Sequence, residues 1–364
     1  AAIEAARDGS GDVFMSGSSY STDFGAAPTP VHSGRYKAFV ARLDASGAHF
    51  DFVTFINGLQ NQTYPGGMAA DTGGGVTLVG STVDLDFPVT AGAYQTAFAS
   101  TVNGQSNGDA FVLRLDHMGA PVFGTYLGGS ALDGATSVAI DPSGSYVVSG
   151  TTRSPDFPTT VGAFDRTFNS APGERTALAE DTFIARLSAD GSQLTYGTYL
   201  GGVTYEVVSD SVMDARGYLT IAGYTTSSAA GIDIPVTPDA FDATWNGSED
   251  GFIARFKLDG SGAADLKYAS FLGGVNWDNI LGIALDPSNP ELVVVTGFAW
   301  YDMFTGPFFP STPGTFKPTL TPNPPPSPLF PHTKTGFVTK FRFPATGPGS
   351  LVWSTFAGGK WEDF

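Results

Sequence analysis

Four acidic residues recur at one spacing. Each stands four residues after the second glycine of a Gly-Gly pair: Asp133 after "YLGG", Glu206 after "YLGG", Asp278 after "FLGG" and Asp363 after "FAGG". The first stretch of this kind, "FING", has Gln62 in that place. Carboxylates gathered in a concavity focus a negative field and take a cation, Ca2+ above all, or a basic group on a partner. The same spacing also fits a structural role, in which each carboxylate accepts backbone N–H bonds from its own Gly-rich turn. Both readings stand on the sequence. If the four converge at one channel mouth, at least one must titrate above its ordinary value.

A cation recurs as regularly. "FVARL", "FVLRL", "FIARL", "FIARF" and "FVTKF" place Arg42, Arg114, Arg186, Arg255 and Lys340 at one position. In an extended strand Phe183, Ala185 and Leu187 share one face while Ile184 and Arg186 share the other. A partly buried guanidinium needs a carboxylate or carbonyl partner. These five residues read as a structural clamp between strands or blades. The histidines do not form a set: His32, His49, His117 and His332 are scattered, and His49 and His117 fall in turns. No nucleophile elbow, zinc-protease pair or phosphate loop is present. "DGSGD" at 8–12 lacks the later Glu of a calcium loop and reads as a turn.

These residues need elements to hold them, and the elements repeat. An apolar strand runs into Asp8, Asp71, Asp141, Asp214 and Asp286, at spacings of 63 to 73 residues. After a turn such as "DPSG", a second strand ends in Gly17, Gly80, Gly150, Gly223 and Gly297. Asp first and Gly fourth is type I turn chemistry. The cation-bearing strand is third and the strand ending in Gly-Gly is fourth. Second strands such as "YVVSG" and "VVVTG" are apolar throughout, so both faces are covered. The reading is an all-β propeller of five four-stranded antiparallel blades in a single domain over 1–364, about 73 residues per unit. The units are 1–61, 62–133, 134–206, 207–278 and 279–364. Each blade is expected to be one contiguous segment, beginning on strand one and ending on strand four. Between strands two and three lies a Pro-anchored insert, expected to tuck Tyr94, Phe164, Phe241 or Phe316 against its own blade. The proline run 322–331 reads as a polyproline loop or docking arm.

The stretch "GTYLGG…SVAIDPSGSYVVSGTTRSPDFPTTVGAFDRTF…DTFIARL" within 124–187 resembles the bacterial β-propeller repeat labelled SBBP. The resemblance covers nearly the whole chain and is strongest in units two to four. Unit five is interrupted by "TLTPNPPPSPLFPHTKT". It implies a propeller fold in an exported bacterial protein, often one part of a larger surface polypeptide, and it implies no reaction.

Composition bounds the rest. With 47 Gly, 25 Pro and 29 Phe, the chain favours short strands and tight turns over helices. It has no cysteine, which excludes disulfides, cysteine-held zinc and a thiol nucleophile. A formal net charge of −17 argues against nucleic acid as a partner. No apolar run is long enough to span a membrane. Ala1 reads as the start of a processed chain or of a segment of a longer one. The expected function is a non-enzymatic extracellular or cell-surface scaffold or binding module, with protein, glycan or further copies as partners. No cofactor is expected beyond Ca2+ at the acids. The alternative is a glycan-acting propeller enzyme using mouth carboxylates as acid and base, which an unpaired carboxylate of raised pKa beside exposed aromatics would favour. A third possibility is polymerisation through exposed blade edges.

Overall fold

The computed structural model describes residues 2–7, 9–19, 37–56, 63–102, 105–106, 108–169, 180–202, 205–226, 234–302, 309–319, 332–343 and 349–358. Asp8, His32, Gln62, Asp363 and the proline run 322–331 lie outside these. The chain is all-β. It forms five four-stranded antiparallel sheets, consistent with a five-bladed propeller. Blade one comprises Ala2–Arg7, Val13–Ser19, Lys37–Leu43 and Phe50–Ile56. Blade two comprises Thr63–Ala70, Val76–Thr82, Asp109–Leu115 and Pro121–Leu127, with a small ribbon at Thr101–Val102 and Gln105–Ser106. Blade three comprises Asp133–Ile140, Tyr146–Thr152, Asp181–Leu187 and Leu194–Leu200. Blade four comprises Glu206–Met213, Tyr218–Thr225, Asp250–Lys257 and Leu266–Leu272. Blade five comprises Asp278–Leu285, Leu292–Asp302, His332–Arg342 and Ser350–Ala357. In every sheet the strand order follows the chain, so each blade is one contiguous segment.

Two compact units result. One holds blades one and two and most of blade three; the other holds residues 162–165, 169–182 and 199–364, with blades four and five. In the first unit, strand one of blade two packs on strand one of blade one and on strand one of blade three. In the second, strand one of blade five packs on strands one and two of blade four. The apolar second strands are buried as expected: Val76, Leu78, Val79, Val147, Val148, Leu219 and Ile221 are inaccessible to solvent.

Strand two runs two or more residues past the glycine expected to end it, and that glycine has a steric cause. In each blade strand one carries a bulge, and this glycine faces the residue just before it: Ala2, Pro65, Ala135, Val208 or Ile280. A bulge bends its strand and brings one backbone close to the next. A Cβ on Gly80 or Gly150 would stand 2.1 Å from a carbonyl oxygen of strand one, and on Gly223 or Gly297 1.8 and 1.9 Å. Only glycine fits there.

The insert does something other than the sequence led us to expect. Its buried anchor is the apolar residue before the proline: Phe87, Phe157, Ile234 and Phe309 are nearly inaccessible. Three of these lie against the phenylalanine of strand three, with ring centroids 4.7, 4.4 and 4.1 Å apart for Phe87–Phe111, Phe157–Phe183 and Phe309–Phe337. The residues expected to tuck into their own blade reach onward or outward instead. Phe164 meets Phe256 of blade four and Phe241 meets Phe341 of blade five, both edge-on. The Tyr94 N–H bonds the Gly191 carbonyl of blade three, and Phe316 is exposed. The rest of each insert runs along the outer strand of its own blade. Thr90 and Tyr126 bond Gly124 and Gln95, Thr160 and Tyr199 bond Gly197 and Asp165, and Thr237 and Phe271 bond Ala269 and Asp242. Thr312 and Phe356 do the same with Ser354 and Lys317. In blades two to five the outer edge is therefore covered, which argues against growth through bare edges.

Candidate functional site

The recurring acids are not on an open mouth. Asp133 and Glu206 are fully buried and Asp278 is 1% exposed. This corrects the expected shared opening, and the reason is a second acid that sequence reasoning passed over. Strand three opens with Asp109 in blade two, Asp181 in blade three and Asp250 in blade four, each fully buried. Each of these is set against the acid that opens strand one of the next blade.

Backbone bonds fix the pairing. The N–H groups of Asp133, Glu206 and Asp278 donate to the carbonyls of Gly108, Glu180 and Glu249, the residues just before the strand-three acids, at 2.9, 3.2 and 2.8 Å. Between the two carboxylates sits the first glycine of the Gly-Gly pair. A Cβ on Gly201 would stand 2.8 Å from Asp181 Oδ1 and 2.9 Å from Glu206 Oε2. On Gly128 it would stand 2.7 Å from Asp133 Oδ2 and 3.2 Å from Asp109 Cγ. The glycine is there because two side chains already fill its Cβ space.

Each acid ties down its own loop. Asp133 Oδ2 accepts the Gly129 N–H at 2.8 Å and Asp278 Oδ2 the Gly274 N–H at 2.6 Å. The strand-three acids hold the inserts: Ala99 and Ser100 donate to Asp109, Asn169 to Asp181 and Asn246 to Asp250, all between 2.7 and 2.9 Å. Hydroxyls complete the set. Thr152 and Ser154 donate to Asp133, at 2.5 and 2.9 Å, and Thr225 donates to Glu206 at 3.1 Å. In blade two the roles are exchanged. Thr63, facing Thr82 as Asp133 faces Thr152, stands where strand one opens, and its hydroxyl donates to buried Asp84 at 3.1 Å. Counting from the glycine had placed Gln62 there; the pairing places Thr63.

Burial is the main cause of the titration of these groups. It pushes Asp109 up to about 6 and Asp133 up to about 7, against the pull of their hydrogen bonds. It pushes Asp250 up to about 7 and Asp278 up to about 8, with the charge of Asp250 adding to the latter.

Three of the five clamp cations find the acid that follows strand one of their own blade. Arg114 pairs with Asp71, Arg255 with Asp214 at 2.6 Å and Lys340 with Asp286 at 2.5 Å. Arg42 pairs with Asp12 and also donates to the His117 carbonyl at 3.1 Å. Arg186 departs from the pattern and donates to the Thr195 hydroxyl at 3.0 Å. Arg255 is the most enclosed: its guanidinium lies over Tyr218 and over Phe343 of blade five, 4.7 and 5.1 Å from the ring centroids. His49 is exposed beside Asp44 and Asp51.

Among the described residues, blade five has the longest strands. Strands two and three of blade five run to 11 residues, against 7 or 8 in the other blades. The extension carries Trp300, whose N–H bonds the Trp277 carbonyl at 2.9 Å. The two indoles lie 4.9 Å apart, tilted by 37°, and Trp277 is 43% exposed. The Lys334 ammonium lies 4.9 Å from the Trp300 ring and 4.6 Å from Phe298. In blade four the corresponding pair is Tyr205 and Tyr224, 6.3 Å apart.

No protein-family model matches the sequence, and no curated protein does. Among solved structures the chain is similar to a protein of unknown function from Dyadobacter fermentans, at 10% identity and a TM-score of 0.43, over 97% of this chain and 93% of that one. It is also similar to an acylaminoacyl peptidase from Pyrococcus horikoshii, at 11% identity and a TM-score of 0.37, over 81% of this chain and 35% of the peptidase. A third is regucalcin, a calcium-binding protein from Agrobacterium tumefaciens, at 12% identity and a TM-score of 0.25, over 81% of each chain.

Proposed function

We propose that the chain is a non-enzymatic scaffold and binding module of the bacterial β-propeller repeat kind, acting outside the cell in surface architecture, adhesion or assembly. The observation that carries this reading is where the acids and the aromatics lie. The recurring acids Asp133, Glu206 and Asp278 are buried, and Asp133 and Asp278 bind the N–H groups of their own Gly-rich loops, which supports a structural role for them. Beside them, in the blade whose second and third strands are extended, an indole is left facing solvent. Blade four has two tyrosines in the corresponding places, and blade five has the larger and more exposed aromatic surface on which a partner can be recognised. The exposed Trp277 indole, backed by Trp300 and bridged at its backbone to Glu249 of the Asn279–Glu249 pair (3.0 Å), suits a glycan ring, with apolar C–H on the aromatic and hydroxyls on the polar rim.

A second reading has one observation in its favour. Asp278 is a carboxylate of raised pKa directly after Trp277, the juxtaposition a glycan-cleaving site would use. One experiment separates the two. Soluble polysaccharides are run against the protein in affinity electrophoresis, and the same mixtures are assayed for new reducing ends. Retardation that is lost in Trp277→Ala, with no reducing ends released, supports the binding module. Reducing ends released by the wild type and lost in Asp278→Asn overturn it in favour of the enzyme.

A further inference from the structure

The junction between blades four and five lacks something its sisters have. Thr152 and Thr225 face Asp133 and Glu206 across strands one and two, and each gives its hydroxyl hydrogen to that carboxylate. In blade five the residue facing Asp278 is Ala299, which has no hydrogen to give. Both acids remain: Asp250 and Asp278 each bond one backbone N–H through Oδ2, from Asn246 and Gly274. The Oδ1 atoms of both are buried and meet no donor. Two carboxylates out of water, each with an oxygen lacking a hydrogen, cost too much free energy to stay doubly ionised.

We infer that Asp250 and Asp278 share one proton at neutral pH, forming a buried carboxyl–carboxylate pair that weakens the grip of blade four on blade five as the pH rises. A single proton eases both defects, since it removes one of two like charges that act on each other and gives a buried, partnerless oxygen a hydrogen. The charged groups acting on the pair make ionisation harder. Asp242, on the insert of blade four, acts on Asp250, and Asp250 acts on Asp278. On the opposite face of the same strand start, Glu249 is bonded to Asn279. Burial pushes the two acids up to about 7 and about 8, so the second ionisation falls just above neutrality. The sign follows. A carboxyl raised in the folded state stabilises it fully below the unfolded value of about 4, and that contribution is lost as the pH rises through the folded value.

The test is the melting temperature of the intact chain from pH 5.5 to 8.5, for wild type and Asp278→Asn, with and without CaCl2. The carboxyl-carbon shifts of the wild-type aspartates are followed by NMR over the same range. The amide that Asp278→Asn introduces carries N–H donors where the proton sits and cannot ionise. We expect the variant to match the wild type at pH 5.5 and to melt several degrees higher at pH 8.5. We also expect one buried aspartate to titrate near 8. A variant that tracks the wild type at every pH, or melts lower at pH 8.5, overturns the inference. So does the absence of any aspartate titrating above about 6. So does a rise in the wild-type melting temperature on adding Ca2+ at pH 8.5 that Asp278→Asn lacks, because the pair then holds a metal ion where we place a proton.

Discussion

Replacing Gly150 by alanine tests whether the repeat is dictated by backbone contact. The new Cβ would stand 2.1 Å from the Gly134 carbonyl oxygen and 2.7 Å from Ala135 Cα, both parts of the bulged strand one. Comfortable contact is about 3.5 Å or more, so two backbones must part by over an ångström. Neither neighbour is a side-chain tip that can swing aside. Roughly two ladder hydrogen bonds are lost, at about 1 kcal/mol each, and overpacking adds about 1–3 kcal/mol. Alanine returns about 0.5–1 kcal/mol through the lower entropy of the unfolded chain. The net cost is about 3 kcal/mol, or a fall of roughly 4 °C in melting temperature for a chain of 364 residues. Gly134→Ala is the matched control, because its Cβ would meet only the Ser81 side chain at 3.8 Å. Calorimetry of the two variants should show the control within about 0.5 kcal/mol of wild type. If both variants melt together, contact across the bulge does not explain the glycine.

Three further outcomes are expected. Arg255→Ala should cost about 3 kcal/mol by urea unfolding, since it strips a buried partner from Asp214. Arg255→Met should cost less, because its stem still covers Tyr218 and Phe343; losses within about 0.5 kcal/mol of wild type in both variants would refute the clamp. Arg186→Ala should stay within about 0.5 kcal/mol, since the Thr195 hydroxyl stands where the others have a carboxylate. Raising the pH from 5 to 8 should lower unfolding stability by a few kcal/mol through Asp109 and Asp133. Their folded values of about 6 and 7 exceed the unfolded one, so each loses about 1.4 kcal/mol per pH unit up to its folded value. Denaturant titrations that stay flat or rise over that range would contradict it.

The strands were legible because their signals are local. Asp141 closes its turn through Oδ1 to the Ser143 and Ser145 N–H groups, with Gly144 at φ 83, as "DPSG" announces. What escaped was whatever depends on two segments meeting. Asp109, Asp181 and Asp250 stand before "AF", "TF" and "GF" in plain sight, yet nothing in one strand says that a second acid will face them. Thr152 and Thr225 look like ordinary strand residues until the register opposes them to acids. The insert misled for a similar reason. An aromatic in every unit suggests packing, but which aromatic turns inward is decided by the proline-fixed bend, and that favoured Phe87, Phe157 and Phe309.

The carboxylate pairs also bear on how such a chain grows. Blades three and four each offer one acid where strand one opens and one where strand three opens, so a lock is completed only when two blades meet. A duplicated blade would arrive carrying both halves and could be spliced between any two others without new contacts being invented. Drift in one half is then answerable only by its neighbour. Within blade two the acid and the hydroxyl have changed places, with Thr63 and Asp84 standing where blade three has Asp133 and Ser154.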